Sequence, residues 1–406
     1  MPVLLIGTLD TKGTEIGFVR DLLRQAGIET LVMDAGVTGP PAIAPDISRE
    51  QVFQAAGTSL EAVLREGDRG KAVEAAAAGA ARLARRLFDE GKIEGVLSLG
   101  GSAGTTIGTA AMRALPFGVP KLMVSTLASG QVKQFVGVRD ILMMYSVVDI
   151  SGINRISRTV LGNAAQAMAG MVRAARGCQP APSEAGDKPL ITATMFGVTT
   201  PCVEAGRRIF EQAGFEVLVF HATGTGGMTM ESFIRDGLVT GVFDITTTEL
   251  ADELVGGILT AGPDRLTAAA LRGTPQVISV GALDMVNFGP PDTVPEKFQG
   301  RRFHQHNPNV TLMRTTPEEN DKLGKEIAQK ASAAKGPTAI LLPLRGVSAI
   351  DAEGKPFWWP EADQALFDSI RLWKAPSVEL IELDLHINDP AFAETAARKL
   401  LSFLGR

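Results

Sequence analysis

Apolar residues recur with two different periods over the first part of the chain. Val3, Leu4, Leu5 and Ile6 form a short continuous run, the pattern of a strand covered on both faces. Over residues 14–26 the apolar side chains Ile16, Val19, Leu22, Leu23 and Ala26 fall three and four apart, which predicts one stripe of an amphipathic helix. Gly27 follows where a glycine commonly ends a helix, and residues 29–33 read as the next strand.

The second half of the chain opens in the same way. Residues 189–196 read as a strand, 203–213 as a helix, Gly214 as its stop, and 216–220 as another strand. The helix exits correspond letter by letter, Gln25-Ala26-Gly27-Ile28-Glu29 beside Gln212-Ala213-Gly214-Phe215-Glu216. Further on, Gly95-Val96-Leu97-Ser98 answers Gly241-Val242-Phe243-Asp244, and Val119-Pro120-Lys121-Leu122-Met123 answers Thr274-Pro275-Gln276-Val277-Ile278. A looser match sets residues 141–145 and a helix from Asn154 beside residues 311–314 and a helix from Asn320. Four matches in one order predict an internal duplication.

Strands alternating with helical stretches predict an α/β fold of two related lobes, each a mostly parallel sheet flanked by helices. Pro180, Pro182, Ser183, Gly186 and Pro189 mark a linker over residues 177–189. The lobes are therefore expected at 1–180 and 187–406, with extra strands in the second at residues 338–342 and 378–385.

Composition narrows the picture. The chain has 406 residues, 45% of them hydrophobic and 21% charged, with net charge −5. Its basic residues are scattered, so nothing points to nucleic acid as a partner. The N-terminus lacks a basic segment ahead of an apolar one, and the alanine-rich stretch at 72–87 carries Glu74, Arg82, Arg85 and Arg86. Neither a signal peptide nor a membrane span is expected, and a cytoplasmic location is. Cys178 and Cys202 have no spacing suited to a metal or disulfide framework and read as reduced thiols.

Ligands of open parallel sheets bind beyond the carboxyl ends of the strands, which directs attention to the turns there. The first is Gly7-Thr8-Leu9-Asp10-Thr11-Lys12-Gly13-Thr14. Lys12 can meet a phosphate and Asp10 can hold Mg²⁺ through water; the alternative is a plain turn with Thr14 capping the helix and Asp10 bonding locally. The second is Gly100-Gly101-Ser102-Ala103-Gly104-Thr105-Thr106, whose glycines and hydroxyls suit a phosphate cradle of backbone amides, although it is neither a Walker A loop nor a GxGxxG fingerprint. The third runs Ser125-Thr126-Leu127-Ala128-Ser129-Gly130, and the fourth contains Asp149 and Asn154, each readable as a nucleotide or metal-shell contact or as a cap. These turns, with Asp34 and Gly36 after the second strand, are expected to converge on one edge.

The second lobe carries different chemistry at the matching turns. His221, Glu249 and Asp284 each stand shortly after an apolar strand and are the catalytic candidates, His221 or Glu249 as an acid or base. With Asp244 they are also candidates for the third ligand of a metal. His304 and His306 have the alternate spacing of ligands on an extended segment, or are polar loop residues beside Arg301 and Arg302. Arg345 reads either as a carboxylate anchor or as a surface residue, and Trp358 and Trp359 as cover for an apolar surface.

Three of these segments resemble a known family. Gly7-Thr8-Leu9-Asp10-Thr11-Lys12, Val147-Val148-Asp149-Ile150-Ser151-Gly152-Ile153-Asn154-Arg155 and His221-Ala222-Thr223-Gly224-Thr225-Gly226-Gly227 are similar to those of the tobamovirus-resistance-protein-like (Tm-type) ATP-binding domain family. The resemblance implies two Rossmann-like lobes, ATP bound in the first, and a homodimer. Carried over position by position, the nucleotide contacts fall on Thr8, Asp10, Thr11, Lys12, Gly13, Asp34 and on Gly100, Gly101, Ser102, Gly104, Thr105 and Thr106. The leading expectation is an ATP–Mg²⁺-dependent enzyme of small-molecule metabolism. Its second lobe would present the substrate through His221, Glu249, Asp284 and residues 304–307. The alternatives are a non-catalytic nucleotide-dependent module, or a metal-dependent hydrolase or lyase centred in the second lobe.

Overall fold

The computed structural model describes residues 1–177 and 188–406. The chain separates into two compact units, one on each side of residues 178–187. Cys178 and most of the expected linker, including Pro180, Pro182, Ser183 and Gly186, lie outside the described residues.

The first unit is built on strands β1 (Val3–Gly7), β2 (Thr30–Asp34), β3 (Gly95–Gly100), β4 (Lys121–Ser125) and β5 (Leu142–Tyr145). They pair in parallel in the order β2-β1-β3-β4-β5. Alternate side chains of β1 enter two different cores. Val3 and Leu5 pack with Ile16, Val19 and Leu23 of α1 (Leu9–Gln25) and with Leu161 and Met168 of α7 (Arg155–Gly177). Leu4 and Ile6 pack with α2 (Arg49–Ala56), α4 (Arg69–Asp89) and α5 (Ser102–Arg113) on the other face. Both faces are thus covered, which is why these strands are apolar throughout. Short helices α3 (Leu60–Glu66) and α6 (Lys133–Val136) complete the unit.

Two boundaries differ from expectation and matter for the site. Helix α1 begins at Leu9, with Thr8 in the N-cap position, so Thr14 is not the cap and Asp10, Thr11, Lys12 and Gly13 already lie in its first turns. Helix α5 begins at Ser102, so the expected loop from Ser102 to Thr106 is helical. Polar and glycine residues are weak helix formers, yet the first turn of α1 is held by the Asp34 carboxylate at the end of β2, and that of α5 by the Thr105 hydroxyl on Ser125 of β4.

The second unit contains parallel strands β6 (Leu190–Met195), β7 (Glu216–His221), β8 (Gly241–Thr246), β9 (Gln276–Gly281), β13 (Thr338–Pro343) and β14 (Glu379–Leu383), in the order β14-β13-β9-β8-β6-β7. Read from β7, this repeats the order of the first unit and adds one strand. Helices α8 (Thr200–Gln212) and α14 (Pro390–Phe403) cover one face. Helices α10 (Glu249–Val255), α12 (Pro317–Ser332) and α13 (Pro360–Trp373) cover the other, while α9 (Thr225–Asp236) packs with α11 (Ala268–Arg272).

One proposed correspondence fails here. Residues 311–314 do not match β5: they belong to β12 (Val310–Arg314), the centre of an antiparallel sheet with β10 (Met285–Phe288) and β11 (Phe303–Asn307). The place of β5 is taken by β13, which pairs with β9 as β5 pairs with β4. A short apolar run carries no mark of the sheet it joins, so the sequence match alone misled.

Candidate functional site

In the first unit the strand order reverses between β1 and β3, and the chain leaves both strands into helix N-termini. Between them opens a cavity of about 630 Å³. Its polar end is formed by Thr8, Asp10, Thr11 and Lys12 from the start of α1, by Gly100, Gly101, Ser102, Ala103 and Gly104 from the start of α5, and by Asp149. At α5 the first backbone bond runs from Thr105 N to Gly101 O (2.8 Å), and no side chain caps the helix. The preceding amides of Ser102, Ala103 and Gly104 therefore have no acceptor within the helix, and the helix dipole adds partial positive charge beside them. Gly100 is required by close approach: a Cβ there would stand 2.8 Å from the Cα of Gly104, inside the first turn of α5.

Asp10 organises the adjoining loop. Its Oδ2 accepts from the amides of Val37 (3.1 Å), Thr38 (2.9 Å) and Gly39 (3.3 Å) and from the Thr38 hydroxyl (2.9 Å). Burial works against its charge, but the bonds from Thr38, Gly39 and Val37 hold the carboxyl below its ordinary range. Its Oδ1 is buried without a hydrogen-bond partner. Lys12 donates its ammonium to the Ile150 carbonyl, tying α1 to the loop that carries Asp149. The Thr8 and Thr11 hydroxyls bond each other at 2.8 Å.

Several residues expected at the nucleotide serve the scaffold instead. Asp34 is buried: Oδ1 accepts from Leu9 N (3.0 Å) and Gly36 N (2.8 Å), and Oδ2 pairs with the Arg49 guanidinium at 2.6 Å. It therefore caps α1 in place of Thr8. Asn154 caps α7 through Ile156 N and Ser157 N, both at 2.9 Å. Thr105 is buried against Ser125 (2.6 Å), and the Thr106 hydroxyl returns to Ser102 O (3.0 Å). Gly13 packs beneath Ala42, and the turn after β4 contributes no side chain to the cavity wall.

Sequence reasoning passed over the opposite wall. It comes from α3 and the start of α4: Val63, Leu64, Ala72, Val73 and Ala76 give an aliphatic surface, with Asp68 and Arg69 at its edge. Residues 60–76 lie between strands rather than directly after one, so the strand-end rule did not reach them. The turn signal Gly67-Asp68, a left-handed glycine followed by a helix cap, was the available clue.

In the second unit the residues expected to be catalytic fall into separate settings. Glu249 is fully buried; Oε1 accepts from Gly224 N (2.7 Å) and Gly227 N (3.0 Å), and Oε2 from Arg265 Nε (2.7 Å). Arg265 also pairs with Asp244 (2.5 Å) and Glu231 (3.4 Å). Asp284 belongs to a second buried network, where its Oδ2 accepts from Ser348 Oγ (2.8 Å) and Arg314 pairs with Asp363 (2.6 Å) and Asp351 (3.6 Å). Burial and the nearby Asp351 push Asp284 up to about 8 despite Arg314. His221 is exposed at the end of edge strand β7, its ring set edge-on to Phe196 at 5.4 Å. These three side chains do not share one site.

His304 and His306 do stand on an extended strand, β11, with the His304 ring 6.2 Å from that of Phe357. Among the described residues, no three His, Cys, Asp or Glu side chains gather as metal ligands. Arg345 forms an exposed pair with Asp384 (2.7 Å). Burial pushes the Cys202 thiol up to about 12, which leaves it inert near neutral pH.

Residues 1–177 match the N-terminal domain, and residues 188–404 the C-terminal domain, of the group described as "Uncharacterised protein family (UPF0261)". A UPF0261 protein of Clostridium tetani is 51% identical over 403 residues, covering 99% of this chain and 98% of that protein. The ToMV resistance protein Tm-1(GCR237) of Solanum lycopersicum is 46% identical over 315 residues, which span 77% of this chain and 42% of the longer tomato protein. A crystal structure of a putative UDP-N-acetylglucosamine 2-epimerase from Listeria monocytogenes covers 68% of this chain and 78% of its own at 12% identity, and its TM-score of 0.25 is too low to carry an argument. With both domains matched in order and a relative at half identity along its whole length, the chain belongs to the UPF0261 family, which it shares with the Tm-1 proteins of tomato.

Proposed function

We propose that this protein binds ATP in the cavity of its first unit. The observation that carries the reading is the pairing, within one cavity, of an amide-rich helix start beside Lys12 with an aliphatic wall of Val63, Leu64, Val73 and Ala76. The first suits a phosphate chain and the second the face of a base. The position agrees, since open α/β sheets bind ligands where the strand order reverses. The repeated strand order supports reading the two units as Rossmann-like and related by duplication. Magnesium would arrive with the phosphates. The unpartnered Asp10 Oδ1, the Asp149 carboxylate and the hydroxyls of Thr8, Thr11 and Ser102 are the hard oxygen donors that fit it. Glu249 and Asp284 are committed to buried networks, so we assign no reaction to the second unit, and nucleotide binding is the function the geometry supports best.

The test is calorimetric titration with ATP–Mg²⁺ of the wild type and of Lys12→Ala. Binding should weaken roughly tenfold or more in the variant, the loss expected for a charge-assisted contact. A wild-type protein that shows no binding at millimolar ATP would overturn the proposal.

A further inference from the structure

Helix α3 is attached to the first unit more lightly than its neighbours. Of its seven residues only Val63 is buried, and it hangs between two left-handed glycines, Gly57 at φ 88° and Gly67 at φ 70°. Leu64 lines the cavity yet remains 50% exposed. The next helix, α4, is capped by Asp68, whose Oδ1 accepts from Gly70 N (2.8 Å) and Lys71 N (3.1 Å). Arg69 consequently occupies the first position of a 21-residue helix. There the helix dipole disfavours a cation. Among the described residues no hydrogen bond or ion pair engages its guanidinium. Leu64 and the exposed, unpaired Arg69 both line the same cavity.

We infer that Arg69 is a ligand-positioning residue that grips the phosphate chain of the bound nucleotide from the side opposite Lys12. The inference rests on the nucleotide reading above. Lys12 already spends one donor on Ile150 O, whereas the Arg69 fork is free to meet two phosphate oxygens at once. Asp68 is the one acidic side chain at the start of α4, and its Oδ1 is engaged by the amides of Gly70 and Lys71, which leaves the Arg69 guanidinium available to a phosphate. Leu64, carried on the same glycine-flanked segment, covers the apolar part of the ligand.

The experiment is titration of the full chain with ATP–Mg²⁺, comparing wild type, Arg69→Ala and Arg69→Lys, with urea unfolding of each ligand-free protein. Arg69→Ala should weaken ATP binding roughly tenfold or more. Arg69→Lys should recover part of that loss, because the charge returns without the fork. The unfolding midpoint without ligand should not fall in either variant. ATP affinity within about twofold of wild type in Arg69→Ala would overturn the inference and leave the nucleotide reading standing. A lowered midpoint that accounts for the loss would show a structural role and also overturn it, whereas equal losses at an unchanged midpoint would support the inference and assign the whole contact to the fork. A wild type that binds no ATP would overturn both.

Discussion

At the scale of single residues, the first unit separates groups that build the site from groups that face it. Asp34 and Arg49 form a buried pair, 1% and 8% exposed, which holds the start of α1 and the loop beyond β2. Removing one partner strands the other charge away from water. Arg49→Ala should therefore destabilise the first unit by about 3 kcal/mol, read from urea unfolding; a loss below about 1 kcal/mol would show the pair to be dispensable. Asp10 and Lys12, which both line the cavity, were legible as candidates because charged side chains just after an apolar strand ask for an explanation. Their division of labour was not: Asp10 spends one oxygen on the loop at 37–39, and only coordinates reveal that.

At the scale of elements, the cavity depends on how closely α5 approaches β3. A methyl group at Gly100 would meet the Gly104 backbone at 2.8 Å, and that backbone cannot rotate away as a side chain can. Gly100→Ala should push α5 outward, cost about 1–3 kcal/mol of stability and weaken ATP binding, since the amides of Ser102, Ala103 and Gly104 move with the helix. Unchanged affinity in a folded variant would mean that these amides do not hold the ligand. Elements with strong periodicity, such as α1 and the strands β1 to β4, were readable from sequence, as were their counterparts in the second unit. Their starts were less so. α1 extends five residues upstream of Thr14 because Asp34, far away in sequence, supplies the cap for Leu9 N.

At the scale of the whole molecule, the second unit stores its acids in dry networks. Burial pushes Asp284 up to about 8, and Asp252 up to about 7 even though Asn287 donates to it. Asp363 is likewise pushed up to about 7 by burial, against the pull of Arg314. Each is raised above its unfolded value near 4, so the folded state favours the proton. Their stabilising contribution is complete below about pH 4 and is lost as the pH rises through 7 and 8. Urea unfolding should show the second unit weaker at pH 9 than at pH 6 by about 2 kcal/mol or more. Equal stability at the two values would mean that these carboxyls ionise freely in the folded protein. No helix among the described residues is long and apolar enough to cross a membrane.

By itself the sequence determined the alternation of strand and helix, the two-part organisation, the family, and the two glycine- and hydroxyl-bearing turns that meet at the cavity. Each of these follows from local chemistry: apolar period, turn-forming residues, and a motif read within a few positions. Only the tertiary structure decided that residues 311–314 leave the parallel sheet for an antiparallel one, that Glu249 and Asp284 sit in different ion networks, and that α3 and α4 supply the cavity's apolar wall. Those outcomes depend on which distant segments come together. Arg265 claims Glu249 and Arg314 draws in three aspartates because packing, not spacing along the chain, sets which charges must share a dry interior.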